Sequence, residues 1–213
     1  GPVIAAVGSP PGTSSRGLVR ASGDGLHAAL SEITSGPAHT LLKDRRRGIA
    51  TGRIRARLAE RVIDVPALFL SMPGPTSFTG EDSVEIQLAG NPELLHAIET
   101  AVIDAAAAID PSAHPAGPGE FTARAFMAGR IGLLEAEGVA ATISARNDHE
   151  LNAARHLCES PLAERSRHLA TELTDVLGLV EAGIDFTDEE SVQALSTAGI
   201  RSRLTSVRTE IGR

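Results

Sequence analysis

The hydrophobic pattern of the chain changes once, at the proline- and glycine-rich segment of residues 114–119, which is the best candidate for a linker. Before this segment, short apolar runs and alternating apolar and polar residues predict strands, with helical spacing between them. After it, only helical spacing recurs. The pattern therefore predicts an α+β domain over residues 1–116, followed by part of an α-helical domain over residues 117–213.

Within the first part, we expect strands in five segments, at residues 3–7, 17–21, 49–58, 62–70 and 82–88. Leu26, Leu30 and Ile33 recur at helical spacing, which predicts a helix over residues 24–33. A second helix is expected over residues 92–109, because Pro92 suits the first turn of a helix.

The second part carries one apolar stripe at spacings of three and four residues, formed by Leu169, Leu173, Val176, Val180 and Ile184. Ser160 and Pro161 are typical of a helix start. Thr187 and Glu190 form a capping box that predicts a last helix from about residue 188. We expect these helices to leave apolar faces uncovered, so either the chain was cut from something longer or a partner covers those faces.

Composition excludes several classes of function. The net charge of −7 argues against broad, nonspecific binding of nucleic acid. Lys43 is the only lysine, and no segment has the G-x-x-x-x-G-K-[ST] pattern of a P-loop. No apolar run approaches the roughly 20 residues of a membrane span, and residues 1–8 lack a signal-peptide pattern. We therefore expect a cytoplasmic protein, and the seven histidines show no spacing that predicts a metal site.

Charged residues outside these patterns have simple interpretations. Arg53, Arg55 and Arg57 share one face of a predicted strand, next to the run at residues 45–47. They either touch the phosphates of a nucleic acid or guard a solvated edge strand, and the second interpretation is favoured. The adjacent pair at residues 81 and 82 is expected to be a solvated loop end rather than an acid–base pair. Phe78 is expected to pack rather than to stack on a ligand.

Four ordered segments resemble the MnmE (TrmE) family of tRNA-modification GTPases. The first is SPPG at residues 9–12, followed by GLVRASG at residues 17–23. The second, PGPTSFTGEDSVE at residues 73–85, is the most recognisable. The third is PGEFTARAF at residues 118–126, with Leu133, Ala136 and Glu137 after it. The fourth is VEAGIDF at residues 180–186.

This resemblance implies a mixed-sheet tetrahydrofolate-binding domain, similar to the glycine-cleavage T protein, that forms a homodimer. It implies a helical domain into which a GTPase domain, using GTP, Mg and K, is inserted in the full-length protein. With a flavin enzyme of the MnmG type, the family makes 5-carboxymethylaminomethyl or aminomethyl uridine at the wobble position of tRNA. The folate, as a 5-formyl or methylene derivative, supplies the one-carbon unit. The chain itself carries neither the GTPase motif nor the family's catalytic cysteine motif, so no catalytic residue is predicted.

The resemblance also implies three folate-binding residues. Arg20 ends a short strand beside a glycine- and proline-rich loop, where its guanidinium could pair with a carboxylate such as the folate tail. Glu85 lies on the polar face of its strand, where a carboxylate can accept two N–H bonds from a pterin ring. Arg130 stands where the family usually has a lysine that contacts folate.

Other hypotheses come from departures near this pocket. Residues 88–92 read LAGNP where the family usually has Gly-His-Gly-Gly-Pro, and residues 13–16 read TSSR in a loop that is usually rich in arginine and glycine. A degenerate paralogue that serves as a non-catalytic assembly module is therefore an alternative. A stand-alone folate-dependent one-carbon transferase is another, although no catalytic group for it is identified.

Overall fold

The computed structural model describes residues 1–158, 161–185 and 197–211. The chain divides into two compact units, Gly1–Ala136 and Glu137–Arg213. The strands are β1 Ile4–Val7, β2 Ser14–Ser22, β3 Thr34–Ser35, β4 Gly48–Leu58, β5 Arg61–Met72, β6 Ser83–Gly90 and β7 His114–Pro115. The helices are α1 Leu26–Ile33, α2 Pro37–Lys43, α3 Pro92–Ala107, α4 Glu120–Met127, α5 Leu133–Ser144, α6 Asp148–Cys158, α7 Pro161–Asp185 and α8 Thr197–Ile211.

The first unit is built on one mixed sheet with the strand order β3-β4-β5-β6-β2-β1-β7. All neighbouring pairs are antiparallel except β1 and β7, which run parallel. The β4–β5 hairpin is long. Strand β6 pairs only with the end of this hairpin far from its turn, at residues 68–72 of β5. The predicted α+β class with a mixed sheet is therefore confirmed.

The hydrophobic core lies between one face of this sheet and helices α1 and α3. Alternation places every second side chain of a strand on that face. Val19 of β2, Phe69 of β5 and Ile86 of β6 are fully buried there, against Leu30 of α1 and Ile98 of α3. The opposite face of the sheet carries the polar members of the same strands, among them Arg20 and Glu85.

The sequence located the long elements of the first unit and missed the short ones. The five strands and two helices predicted there are all present, with ends shifted by a few residues. The missed elements are α2, β3 and β7. Strand β7 lies inside residues 114–119, where proline and glycine indicated a linker; instead His114 N–H donates to the Val3 carbonyl at 3.1 Å.

Helix α4 follows the predicted boundary at residues 116 and 117, yet it belongs to the first compact unit. Arg124 of α4 donates to the Pro2 carbonyl at 2.6 Å and to Glu81 Oε2 at 3.0 Å. These contacts tie α4 to the start of the chain and to the segment before β6. The domain boundary itself stays a prediction.

The described part of the second unit is helical, as predicted. Val176 of α7, Val207 of α8 and Ala154 of α6 are buried. Leu173, a member of the predicted stripe, is 43% exposed, and neighbouring Leu177 is 56% exposed. The described helices thus leave apolar surface uncovered, as expected. Ser160, the capping box at residues 187–190 and Phe186 lie outside the described residues.

Asn91 caps the start of the long helix α3. It is the N-cap of α3, and its side-chain Oδ1 accepts a hydrogen bond from Leu94 N–H at 3.0 Å. Pro92 occupies the first helical turn, as the sequence predicts. Asn91 therefore stabilises the start of α3.

We predict that Asn91→Ala lowers the free energy of unfolding of the first unit by about 1 kcal/mol, because Leu94 N–H loses its acceptor. Asn91→Gly is the matched control, since glycine is tolerated at an N-cap and costs only about a few tenths of a kcal/mol. Urea denaturation followed by circular dichroism measures both. Equal losses for the two variants would contradict the capping role.

Candidate functional site

Arg20 and Glu85 face each other across the central strands. The register of β2 and β6 makes them direct partners. Arg20 Nε donates to Glu85 Oε1 at 2.9 Å, and Arg20 Nη2 donates to the same oxygen at 2.6 Å. The structure therefore brings together two of the three predicted site residues, which are 65 positions apart in the chain.

This pair lies on the sheet face opposite the hydrophobic core, and α4 covers part of it. The Arg20 guanidinium carbon lies 5.9 Å from the centre of the Phe121 ring, within the range of a cation–π contact. The Glu85 side chain is 18% exposed and the Arg20 side chain 44%. Phe121 is a contact that the sequence did not predict, because its ring reaches Arg20 only through the packing of α4.

The ion pair changes what each residue can offer a ligand. Both hydrogen bonds from Arg20 end on Oε1 of Glu85, so Oε2 lies outside this pair. A carboxylate oriented in this way can accept hydrogen bonds from a neutral or cationic ring. The Nε and Nη2 donors of Arg20 are occupied, so a ligand carboxylate would have to compete with Glu85 for them.

Arg130, the third predicted residue, is exposed and lies at the end of the segment that follows α4. Its backbone N–H donates to the Ala125 carbonyl at 2.8 Å. Its side-chain Cγ would lie 3.6 Å from a Cβ added at Gly80. Arg130 therefore lies against the loop between β5 and β6, and the ligand-binding roles of Arg20, Glu85 and Arg130 stay predictions.

We call residues 73–82 the β5–β6 loop. Its backbone is held at both ends and in the middle. Gly74 N–H donates to Asp82 Oδ1 at 3.0 Å, and Thr79 Oγ1 lies 2.7 Å from Ser22 Oγ. Arg47 Nη2 donates to the Thr76 hydroxyl at 2.8 Å. Gly80 has φ of 80°, a conformation that favours glycine. These contacts thus fix the conformation of the β5–β6 loop at the start of β6.

Asp82 is the centre of this loop's attachment. Asp82 is 7% exposed. Arg45 donates two hydrogen bonds to its carboxylate, from Nη2 to Oδ1 at 2.7 Å and from Nε to Oδ2 at 2.8 Å. Burial raises the pKa of Asp82, but hydrogen bonds from Arg45 and Gly74, together with the nearby His27 imidazole, outweigh burial, and the pKa is lowered. The expectation of a solvated loop end is therefore wrong for Asp82, because the guanidinium of Arg45 pairs with the carboxylate from the surface, where the Arg45 side chain is itself 59% exposed.

His27 and Ser71 complete a buried polar chain behind Asp82. His27 Nδ1 lies 3.1 Å from Asp82 Oδ2, although the angle is poor for a hydrogen bond, and His27 Nε2 lies 2.7 Å from Ser71 Oγ. The order serine, histidine, aspartate is that of a hydrolase triad. However, Ser71 is 1% exposed and His27 3%, so no substrate reaches the hydroxyl. The chain links α1, β5 and the β5–β6 loop, which is a structural role.

Two further expectations about this region meet different outcomes. Phe78 was expected to pack, but it is 45% exposed at the tip of the loop, so that expectation is wrong. Arg53, Arg55 and Arg57 do lie on one exposed face of β4. The strand beyond β4 is β3, which pairs with it only at Arg53 and Ile54, so residues 55–58 have an open edge on that side.

Among the described residues, no group of three histidine, cysteine, aspartate or glutamate side chains is arranged to hold a metal ion. Within the same ranges, no helix combines the length and the apolarity that crossing a membrane requires.

Comparisons with known proteins define the class of this chain. Residues 3–130 match the family model described as the N-terminus of the GTP-binding protein TrmE, and residues 133–213 match the MnmE helical domain. The chain is 38% identical to a tRNA modification GTPase MnmE of Halorhodospira halophila over 191 residues, which is 90% of this chain and 38% of that protein. It is 35% identical to the MnmE of Xylella fastidiosa over 211 residues, 99% of this chain and 44% of that protein.

Both matched regions belong to the same class of GTP-binding, tRNA-modifying proteins, and they occur in the same order. The chain belongs to the MnmE family of tRNA modification GTPases and corresponds to the family's N-terminal region. It spans about two fifths of the length of the curated relatives it matches. The family predicted from the four sequence segments is therefore confirmed.

Arg45 combines a strained backbone with the Asp82 ion pair, which gives a prediction. Its φ of 49° follows the end of α2 in the left-handed conformation that glycine usually adopts. Both Arg45→Ala and Arg45→Gly remove the ion pair, but glycine relieves the backbone strain. We expect Arg45→Gly to be more stable than Arg45→Ala by about 1 kcal/mol, and both to be less stable than the wild type.

Thermal and urea unfolding of the three proteins measure these differences. Wild-type stability in Arg45→Ala, which keeps the backbone strain, would show that the ion pair contributes nothing. Equal stability of the two variants would show that the backbone at residue 45 is unstrained.

The buried imidazole predicts a pH dependence of stability. Burial lowers the pKa of His27 from 6.5, against the raising effect of Asp82. As pH falls below about 6.5, His27 of the unfolded chain therefore binds a proton, whereas buried His27 of the folded protein stays neutral to a lower pH. The contribution of neutral His27 to the free energy of unfolding is fully present above that pH. It is lost on acidification, with a slope of at most about 1.4 kcal/mol per pH unit.

We expect His27→Gln to have a flatter stability curve than the wild type between about pH 5 and 7. Urea titrations at each pH measure the slope. Parallel curves for the two proteins would mean that His27 titrates alike in both states, contrary to its burial.

Proposed function

We propose that this chain is the folate-binding and dimerisation region of a GTPase that modifies the wobble uridine of tRNA. The observation that carries the proposal is the Arg20–Glu85 pair. It lies on the sheet face opposite the core, inside the region that matches the family's N-terminal model. The bound cofactor would be a 5-formyl or methylene derivative of tetrahydrofolate, which supplies a one-carbon unit to the reaction.

The side chains fit a folate ligand in a specific way. Glu85 is held by Arg20 through one oxygen, which leaves Oε2 for the N–H donors along the edge of a pterin ring. Arg20 then acts mainly by orienting Glu85. Arg130, at the β5–β6 loop, supplies a second cation for the ligand's polar groups.

The wider assembly follows from the family and belongs to the same proposal. The domain would be related in fold to the glycine-cleavage T protein and would pair with a second copy as a homodimer. A GTPase domain using GTP, Mg and K, a flavin enzyme of the MnmG type and the tRNA would complete the reaction in the cytoplasm. The product would be a 5-carboxymethylaminomethyl or aminomethyl uridine.

A degenerate, non-catalytic assembly module is the second candidate, and one observation favours it. Arg20 and Glu85 form hydrogen bonds with each other, so neither needs a ligand as a partner. Asn91 is a helix cap rather than part of a glycine-rich turn. A protein that had lost its ligand would keep such contacts for stability. Direct binding measurements separate the two candidates.

We predict that the 213-residue chain binds 5-formyltetrahydrofolate in isothermal titration calorimetry and that Glu85→Gln weakens binding at least about tenfold. Glutamine keeps the size of the side chain but presents an N–H group to the donors of the ligand. Glu60→Gln, in the exposed β4–β5 turn, is the matched control and should bind like the wild type.

Thermal unfolding of each variant shows whether the fold persists. Absence of heat from wild-type protein at millimolar ligand would overturn the folate role and favour the assembly module. Wild-type affinity in Glu85→Gln would show that folate binds elsewhere.

A further inference from the structure

The turn between α2 and β4 concentrates positive charge at the surface. We call residues 43–47, which read KDRRR, the basic turn, and all five are exposed. Arg45 is neutralised by its ion pair with Asp82. The other three cations form no ion pair with a residue in the ranges that the structure describes, and Asp44 is the one carboxylate among them. The basic turn therefore presents surplus positive charge on a chain whose net charge is −7.

Arg47 of the basic turn is held in place by the β5–β6 loop. Its Nη2 donates to the Thr76 carbonyl at 3.0 Å and to the Thr76 hydroxyl at 2.8 Å. Both bonds use one nitrogen, so Nε and Nη1 of Arg47 can donate to an anion. Because the guanidinium is already oriented, it loses little conformational freedom when it binds one. This arrangement suits phosphate oxygens, which accept paired hydrogen bonds from arginine.

Phe78 lies on the same loop, beside the segment that Arg47 contacts. It is two residues from Thr76, so their Cα atoms are at most about 7 Å apart. Phe78 is 45% exposed, in a chain that has only five phenylalanines and no tyrosine or tryptophan. Its neighbours Ser77 and Thr79 are buried, which fixes the backbone on both sides of it. An exposed ring on a fixed backbone can stack on the face of an unpaired base.

The combination of cations and an exposed ring fits single-stranded RNA better than other anions. In a double helix the faces of the bases are covered by stacking, so proteins contact mainly the phosphates and 2′-hydroxyls. An acidic protein segment would pair with the cations and leave the ring without a specific partner. Phosphate-binding cations next to a stacking ring are typical of sites for single-stranded nucleic acid.

We propose that the basic turn and Phe78 bind an unpaired segment of the tRNA. Arg46 and Arg47 donate to backbone phosphates, and Phe78 stacks on a base next to them. This inference rests on the proposed function, because that function makes tRNA the substrate. It assigns the contact to the α2–β4 turn and the β5–β6 loop rather than to the arginines of β4.

Fluorescence anisotropy with a labelled tRNA transcript tests the charges on the 213-residue chain. The double variant Arg46→Gln, Arg47→Gln should weaken binding at least about tenfold at about 0.15 M salt. It should also make the slope of log K against log salt shallower by about 1.4, which corresponds to two phosphate contacts of a single strand.

The double variant Arg55→Gln, Arg57→Gln is the matched control, because it removes the same charge from the exposed face of β4. These arginines lie roughly 25 Å or more along the strand from Arg47. That separation exceeds the Debye length of about 8 Å at 0.15 M ionic strength. The control should therefore bind tRNA like the wild type.

Phe78→Leu tests the stacking. Leucine keeps an apolar side chain but lacks the face of a ring, so binding of tRNA should weaken about tenfold. Binding of a fully paired RNA duplex should be unchanged, because its bases are already stacked inside the helix. Equal weakening for the two RNAs, or no weakening for either, would contradict the stacking role of Phe78.

Three results would overturn the assignment of the tRNA contact: wild-type affinity in Arg46→Gln, Arg47→Gln, an equal loss in the β4 control, or no binding of tRNA by the wild type. Calorimetry of the same variants with 5-formyltetrahydrofolate separates this inference from the folate role. Folate binding together with tRNA binding that ignores the basic turn contradicts this inference alone. Binding of tRNA through the basic turn without any folate binding contradicts the folate role alone.

Discussion

The buried carboxylate of Asp82 is the constraint on which the region around the site depends. It receives a guanidinium from the turn after α2, a backbone N–H from the β5–β6 loop and an imidazole from α1. A carboxylate removed from water is costly unless it is paired and hydrogen-bonded. The Asp82 carboxylate therefore holds these three segments together. Loss of one partner leaves the others around a buried carboxylate whose charge is no longer fully compensated.

This attachment determines where the candidate ligand residues lie. Asp82 immediately precedes β6, so fixing it fixes the start of that strand. Ser83 then pairs with Ser22, and Glu85 pairs with Arg20 two steps further along. A shift of one residue in this register would move Glu85 to the core face. The position of the ion pair on the polar face is thus a consequence of the loop's attachment as much as of strand alternation.

The sequence predicted the elements with clear periodicity and the polar face of Glu85, because those depend on local pattern. It could not predict that Arg20 faces Glu85, since a cross-strand partner depends on the register of distant strands. It placed Asp82 in solvent, because the buried state exists only through Arg45, which is 37 positions away. Proline and glycine around His114 indicated a linker, although a two-residue strand needs only one partner edge, here that of β1.

An ion pair in a binding site selects ligands by polarity. A carboxylate with one oxygen on a guanidinium keeps acceptor capacity and has little attraction for a second anion. The Arg20–Glu85 pair therefore favours hydrogen-bond donors of a ring, and it disfavours an anionic tail in the same place. For a ligand that carries both, the ring and the tail must separate along the sheet.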